Sequence, residues 1–597
     1  MRNLKTTLSH LLQIAFTLFL VQTHCEAQWS PNPVVNNAII TGWDWQGFPN
    51  ATTDGNDGAI IVFRDIRNGF ANLYAQHIDA QGVLQWTNSG VPICVTPHNQ
   101  DYPEIVPDGN GGAIIGWFGR VLNVGYEVYA QKINAAGVVQ WSANGVPLDQ
   151  SSGFPAHLKM TTDGSGGAII TWEHNKNGTK DIFAQRINSA GVAQWTTNGV
   201  SVCVQPGIQA YPAIVADGSG GAVIAWEDER NAIPDIYAQR IDASGKMLWT
   251  ANGVPVCTAA GTQTFTTITA DGSGGAIVAW LDARSGTYTE IYAQRVNAGG
   301  AVQWIADGLA VCNAISEKQT VACVSDGNGG AIMSWTDARS GVFQYDIFAQ
   351  RINGAGTMLW TANGVPISTA MGTQDNAVLV ADSYGGAIIT WHDVRNANND
   401  DIYAQRIDAN GAVQWVTNGL AVSSASNIQQ RPKLVLSGNT GAIVVWQDSR
   451  NPAEDDIFAQ RIYPNGVLCT IPGVHLGPDT TQCQGSLSLD AGNGGMGSTF
   501  AWSTGSGSQT ITVSSSGIYH VTVTTIGGCQ AADTIMVTML PLPTVSYNEV
   551  QTHVCDNAPP LTLSPGTPAG GTYAGTGVSG NIFTPSIVPA GTYTIIY

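Results

Sequence analysis

Apolar residues along most of this chain come in bursts of about five to seven positions, each closed by glycine, asparagine or aspartate. Ala222 to Trp226 is one burst and Ile236 to Ile241 the next. No long segment keeps the 3.6-residue period of an amphipathic helix. β-branched and aromatic residues are plentiful, which predicts an all-β chain.

The bursts repeat. The stretch Asp217 to Gly245 recurs eight times, each copy opened by a residue at a turn: Asp54, Asp108, Asp163, Asp217, Asp271, Asp326, Asp382 and Ser437. Successive intervals are 54 to 56 residues. Each copy also carries an aromatic-Ala-Gln marker, such as Tyr237-Ala238-Gln239. Each repeat reads as four strands, with Ala213 to Val215 running into an Asp-Gly-Ser-Gly-Gly hairpin turn. Ala222 to Trp226, Ile236 to Ile241 and Met247 to Val256 follow. Four antiparallel strands at this period predict the blade of a β-propeller. The eighth repeat lacks its last strand, and Gln28 to Val34 carries the missing Trp-x-x-Asn pattern. An eight-bladed propeller over 28–470, closed by that N-terminal strand, removes the open sheet edges.

Composition adds location more than function. Arg2 and Lys5, the apolar run Leu11 to Val21 and the small-x-small site at Cys25-Glu26-Ala27 predict a signal peptide over 1–27, hence an extracellular or cell-surface protein. That run is too short to span a bilayer, and no other segment is long enough. A net charge of −19 excludes nucleic acid as a partner, because no basic surface replaces the counterions around phosphates.

From Ile471 the pattern changes. Leu476 to Cys483, Ala501-Trp502-Ser503-Thr504-Gly505, Gly517-Ile518-Tyr519 and Gly527-Gly528-Cys529 follow in order. Over 471–540 the chain resembles the PKD-like or immunoglobulin-like modules of surface proteins in bacteria that use type IX secretion. The resemblance implies a β-sandwich with a Cys483–Cys529 disulfide. Cys555, Pro559-Pro560, Gly570 to Tyr573 and Gly575-Thr576-Gly577 resemble a second such module over 541–597. Family members continue to a partner cysteine and often a sorting domain, so ending at Tyr597 implies a truncated module.

Candidate chemistry is repetitive. Asp65/Arg67, Asp228/Arg230, Asp282/Arg284, Asp337/Arg339, Asp393/Arg395 and Asp448/Arg450 follow the second strand, on the same face as Gln100, Gln209, Gln263, Gln374 and Gln429. Such a ring could grip a sugar or a peptide. Alternatively each pair holds its own loop, since repeats chiefly encode their own packing. The second and third repeats depart from the pattern, which singles out Tyr126, Glu127, Glu173 and His174. The turns offer one carboxylate each, against about six to eight oxygens for calcium, so no metal is expected, even at the richer Asp54-Gly55-Asn56-Asp57. The third-strand arginines (Arg186, Arg240, Arg295, Arg351, Arg406, Arg461) are expected to pair with the acid five residues earlier, such as Asp181 or Asp235. Trp86, Trp141, Trp195, Trp249, Trp304, Trp360 and Trp415 read as core between blades, and Cys94, Cys203, Cys257 and Cys312 as buried thiols. Cys312 and Cys323 are the one close pair. No cofactor, nucleophile-elbow or phosphate-loop motif is present. The sequence therefore predicts a secreted, non-catalytic binding or adhesion protein for a glycan or protein ligand. The alternatives are a polysaccharide hydrolase or lyase using the propeller face, and a structural surface-layer component.

Overall fold

The computed structural model describes residues 29–597 apart from 43, 122–124, 177, 342–343, 397–398, 469–472, 493–497, 526–528 and 550–551. The expected signal peptide over 1–27 lies outside the described residues. No helix among them is long and apolar enough to cross a membrane. The chain divides into two compact units, Met1–Thr470 and Ile471–Tyr597.

The first unit is all-β and propeller-like, built from eight four-stranded antiparallel sheets. In the fourth, Gln209–Ala216, Ala222–Asp228, Asp235–Ile241 and Val254–Cys257 lie side by side in chain order. Ala222–Asp228 is buried on both faces, because it is an inner strand and other sheets cover it front and back. That explains its unbroken apolar run, where a half-exposed strand would alternate. Apolar clusters lie between sheets: Val223, Ala225 and Trp249 of the fourth pack on Ala276, Val278 and Trp280 of the fifth. The first strands touch in cyclic order, and Gln429–Ser437 of the eighth sheet meets Gln46–Thr53 of the first.

The turn aspartate organises each sheet. Asp217 Oδ1 accepts hydrogen bonds from the Ser219 and Gly221 amides at 2.8 and 2.9 Å. A Cβ at Gly221 would stand 2.2 Å from the Ile241 carbonyl oxygen, so only glycine fits there. Asp217 Oδ2 is 2.8 Å from Arg240. This corrects the expected pairing of Arg240 with Asp235. Residues five apart on a strand point to opposite faces, whereas Asp217 ends the hairpin on the arginine's own face. The same pair recurs as Asp163–Arg186, Asp271–Arg295, Asp326–Arg351 and Asp382–Arg406, with Asp108–Lys132 and Asp54–His77 in the second and first sheets.

The arginine also reaches the next sheet. Arg240 Nη1 and Trp249 Nε1 both donate to the Ala298 carbonyl, at 3.1 and 3.0 Å. Arg186 and Trp195 do the same to Ala243, and Arg351 and Trp360 to Ala409. Between the eighth and first sheets the donors to Ala80 are Arg461 and Trp29, at 2.5 and 2.9 Å. Trp29 thus stands where each other repeat uses its own tryptophan. The N-terminal strand itself is Asn37–Ile40, paired antiparallel with Asp456–Ile462, and not Gln28 to Val34 as expected. Ser30 to Asn36 instead forms a turn, with the Ser30 amide donating to Asn37 Oδ1 at 2.9 Å.

In the second unit Thr480–Cys483, Gln530–Leu540, Gly517–Thr524 and Thr499–Trp502 form one sheet, and Leu487–Asp490 pairs with Thr510–Val513 in another. Trp502, Val521, Val523, Ile535 and Val537 fill the core with Leu489, Ile511 and Val513 of the second pair. The implied Cys483–Cys529 bridge is not formed. Cys483 is a free, exposed thiol, whereas Cys529 is disulfide-bonded. Cys312 and Cys323 are both free.

Two measurements check this account. Trp29→Ala should cost about 3–5 kcal/mol in chemical denaturation, the range for truncating a buried aromatic; a loss below about 1 kcal/mol would mean that the N-terminal segment does not close the array. Burial pushes the Cys94 and Cys257 thiols up to about 12. A thiol reagent on the native protein should therefore modify Cys483 and Cys555 and spare Cys94, Cys203, Cys257 and Cys312, as read by peptide mapping.

Candidate functional site

Pairing between the first and second strands slips at one place in every sheet, for example between Ala210 and Ala213 in the fourth and Thr264 and Thr267 in the fifth. One residue in each slip has a positive φ, six positions before the turn: Phe48, Tyr102, His157, Tyr211, Phe265, Thr320, Asn376 and Arg431. All eight have φ between 43 and 57°. Aromatic and β-branched residues rarely adopt that left-handed conformation, and each such residue costs about 1–2 kcal/mol. Bulges re-aim side chains, and here the eight line two cavities that share Thr320. Tyr102, Phe265 and Tyr211 are 63, 59 and 49% exposed.

Two cavities take these residues. One, of about 560 Å³, is lined by Phe48, Tyr102, Thr320, Asn376 and Arg431. The other, of about 610 Å³, is lined by His157, Tyr211, Phe265 and again Thr320.

Side chains from the preceding sheet hold the strained backbone. Glu173 Oε2 accepts from the Tyr211 amide at 2.9 Å, Glu227 Oε1 from the Phe265 amide at 2.7 Å, and Gln447 Oε1 from the Phe48 amide at 3.1 Å. The two glutamates differ in charge state. Burial alone would raise Glu173, but His157 at 3.0 Å, Lys180 at 2.6 Å and the Tyr211 amide bring it below the usual carboxylate range. Among the described residues no Lys or Arg pairs with Glu227; burial pushes it up to about 7, the Phe265 amide and His157 offsetting only part. His157 packs on Tyr211 with ring centroids 4.3 Å apart. On the other side of the opening His392 sits 2.8 Å from Asp375 and 3.4 Å from Asp400. Burial lowers it, but the bond to Asp375 and the two charges raise it overall.

The Asp-x-Arg residues lie elsewhere. Asp65, Asp228, Asp282, Asp337, Asp393 and Asp448 are fully buried. Asp228 accepts from Trp226 Nε1 at 2.8 Å and is 2.6 Å from Arg230. Arg230 also donates to the Asn252 carbonyl at 2.8 Å and stacks 3.8 Å over Tyr237. Arg284, Arg339 and Arg395 repeat the pattern on Asp307, Asn363 and Asn418, and Arg450 donates to Val34 and Val35. Arg67 stacks on Tyr74 and donates to Ser89. These groups hold the loop against the turn before the fourth strand. The recurring glutamines are used locally too, Gln263 donating to Ala259 and Gly261.

The irregular repeats divide. Glu173 supports the opening, as above. His174 is fully buried, accepts from the Lys176 amide at 2.9 Å through Nδ1, and is lowered by burial. Tyr126 donates to Asp101 at 3.3 Å, and Glu127 accepts from Tyr129 at 2.6 Å. Among the described residues no three His, Cys, Asp or Glu side chains converge as metal ligands.

No family model matches this chain, and no curated protein matches it. Among solved structures it is similar to an ulvan lyase of polysaccharide lyase family 25, with 8% identity over 74% of this chain and 97% of the other, at a TM-score of 0.42. Dipeptidyl peptidase 4 of Porphyromonas gingivalis is 11% identical over 67% of this chain and 57% of its own, at 0.35. An endo-arabinase from Bacteroides thetaiotaomicron is 12% identical over 44% and 95%, at 0.27. Likeness this low bears on neither substrate nor reaction.

Glu227 gives this site a pH signature. Unfolded, it titrates near the usual glutamate value of about 4.3; folded, near about 7. The native state holds the proton more tightly, so this contribution to stability is complete below about 4.3 and is lost as pH rises through about 7. Denaturant midpoints of Glu227→Gln should lack that part of the decline; matching profiles for variant and parent would refute the assignment.

Proposed function

We propose that this chain is a secreted or surface-displayed polysaccharide-binding protein, an eight-bladed propeller carried on immunoglobulin-like modules. The carrying observation is the set of eight bulge residues lining two cavities that share Thr320, five of them aromatic or imidazole in consecutive sheets. Flat apolar faces beside hydrogen-bonding groups suit a sugar ring, which offers C–H faces and a hydroxyl rim. Asn376 and Thr320 supply polar groups at the same opening. The buried Asp-x-Arg groups are spent on packing, which leaves the bulge positions to make contact. The eight cyclic sheets and the Trp29 closure support the propeller. The two-sheet core, with Tyr519 donating to the Ser515 carbonyl at 2.9 Å, supports the immunoglobulin-like module. Export by a type IX route rests on the sequence resemblance alone.

One observation favours a second reading, a polysaccharide hydrolase or lyase. Glu227 and His157 line one cavity, the first poised to carry a proton near neutral pH and the second held by Glu173. Two proton-carrying groups lining one cavity are an arrangement that acid–base catalysis can use.

On a glycan array followed by calorimetry, Tyr211→Ala and Phe265→Ala should each weaken saccharide binding about tenfold, or about 1.4 kcal/mol, while Arg230→Gln lowers stability and leaves affinity unchanged. Unaltered affinity in both aromatic variants would exclude the opening as the binding face. Release of sugar products that stops with Glu227→Gln would establish the enzymatic reading in its place.

A further inference from the structure

The first cavity carries charge that the scaffold does not use. Most basic side chains of the first unit are committed: the arginines and lysines described above lie against carboxylates or backbone carbonyls. Arg431 and Lys433 are not. Both line the cavity, and among the described residues neither side chain forms an ion pair or a hydrogen bond. Arg431 stacks 4.2 Å over Phe48, which leaves its guanidinium donors free.

We propose that Arg431 and Lys433 bind the carboxylate or sulfate group of an acidic saccharide laid against Phe48 and Tyr102. This rests on the reading of the opening as a saccharide site and names the class of saccharide.

The surroundings favour an anion. Glu104 is the one carboxylate lining the cavity, and it is already held: Lys159 pairs with it and Asn50 donates to it at 2.9 Å. Burial works against the charge on Glu104, but Lys159 and Lys433 keep it ionised, below its ordinary range. Lys433 is left with an excess of positive neighbours; burial lowers its proton affinity first, Glu104 opposes that, and Lys159 and Arg431 lower it further. Three cations, Lys159, Arg431 and Lys433, thus neighbour one carboxylate, an excess that is unfavourable unless something supplies the counter-charge. The chain as a whole carries −19, so a local positive pocket is not a by-product of composition. Arg431 also occupies the left-handed bulge, at φ 57°, where a long side chain is thrust into the opening.

The test uses the full chain and three probes in calorimetry: polygalacturonate oligomers, dextran sulfate and neutral dextran. The acidic probes should bind at least about tenfold more tightly than dextran at low salt, with the gap closing as salt rises. Preference for polygalacturonate or for dextran sulfate identifies the anionic group as carboxylate or sulfate. Lys433→Met and Arg431→Gln should each lower affinity for the preferred acidic probe about tenfold and narrow its margin over dextran, with Lys433→Arg retaining most of it. Equal binding of acidic and neutral probes, or folded variants with unaltered acidic affinity, would overturn the charge assignment and leave the aromatic face standing. Absence of binding to all three probes would overturn both.

Discussion

In nearly every sheet of the first unit the carbonyl in the turn between the third and fourth strands is held by the sheet before it. A tryptophan, in most cases with an arginine, donates to that one oxygen, and the arginine is itself fixed by the turn aspartate of its own sheet. The angle between neighbours is thereby set by short, directional bonds as well as by apolar contact. Apolar packing alone is non-directional and would tolerate some slip between sheets. Closing a ring leaves no such tolerance, since any error is multiplied around it. The last junction repeats the others with Trp29 and Arg461 on Ala80, although its two donors are 432 residues apart in sequence.

This division of labour decides where function can sit. The second and third strands, the turn aspartate and the Asp-x-Arg pair are all consumed in holding sheets together. A side chain whose every polar atom is engaged at full burial has nothing left for a ligand. The bulge residue is a recurring position that lines the cavities, and its identity changes from sheet to sheet. Its backbone strain is offset by a side chain from the preceding sheet, as Glu173 does for Tyr211 and Glu227 for Phe265. Changing either glutamate therefore perturbs both the aromatic above it and the charge of the cavity.

The all-β class and the four-strand repeat were legible in the sequence because hydrophobic period and turn residues report on local structure. Trp29 was legible as the missing tryptophan, but the strand after it was misplaced: alignment on the Trp-x-x-Asn pattern carries no measure of the extra turn at Ser30 to Asn36. Arg240 was assigned to Asp235 by nearness along the chain, when alternation on a strand sends residues five apart to opposite faces. The expected Cys483–Cys529 pairing came from resemblance, and a pairing cannot be deduced from cysteine spacing alone. The bulge positions were missed for a different reason. Their signal, aromatic residues six positions before the turn in four of eight repeats with histidine in a fifth, is a variable position, and a search for recurring residues selects against it. Only the backbone, left-handed at all eight places, makes those residues equivalent.

A regular scaffold therefore carries an irregular opening. From the third to the fifth sheet it presents His157, Tyr211 and Phe265 above one ionised and one protonatable glutamate. From the seventh to the second it presents Asn376, Arg431, Phe48 and Tyr102 with an unpaired lysine below. Eightfold repetition of the backbone would, with identical side chains, give a ring of equal sites and no preferred direction for a long ligand. The two arcs break that equivalence while the inter-sheet bonds stay the same, with Arg431, Lys433 and Glu104 on one and His157, Lys159 and Glu227 on the other. The regularity that first suggested eight copies of one function is the property of the frame, and the chemistry of the two cavities is written in the residues that depart from it.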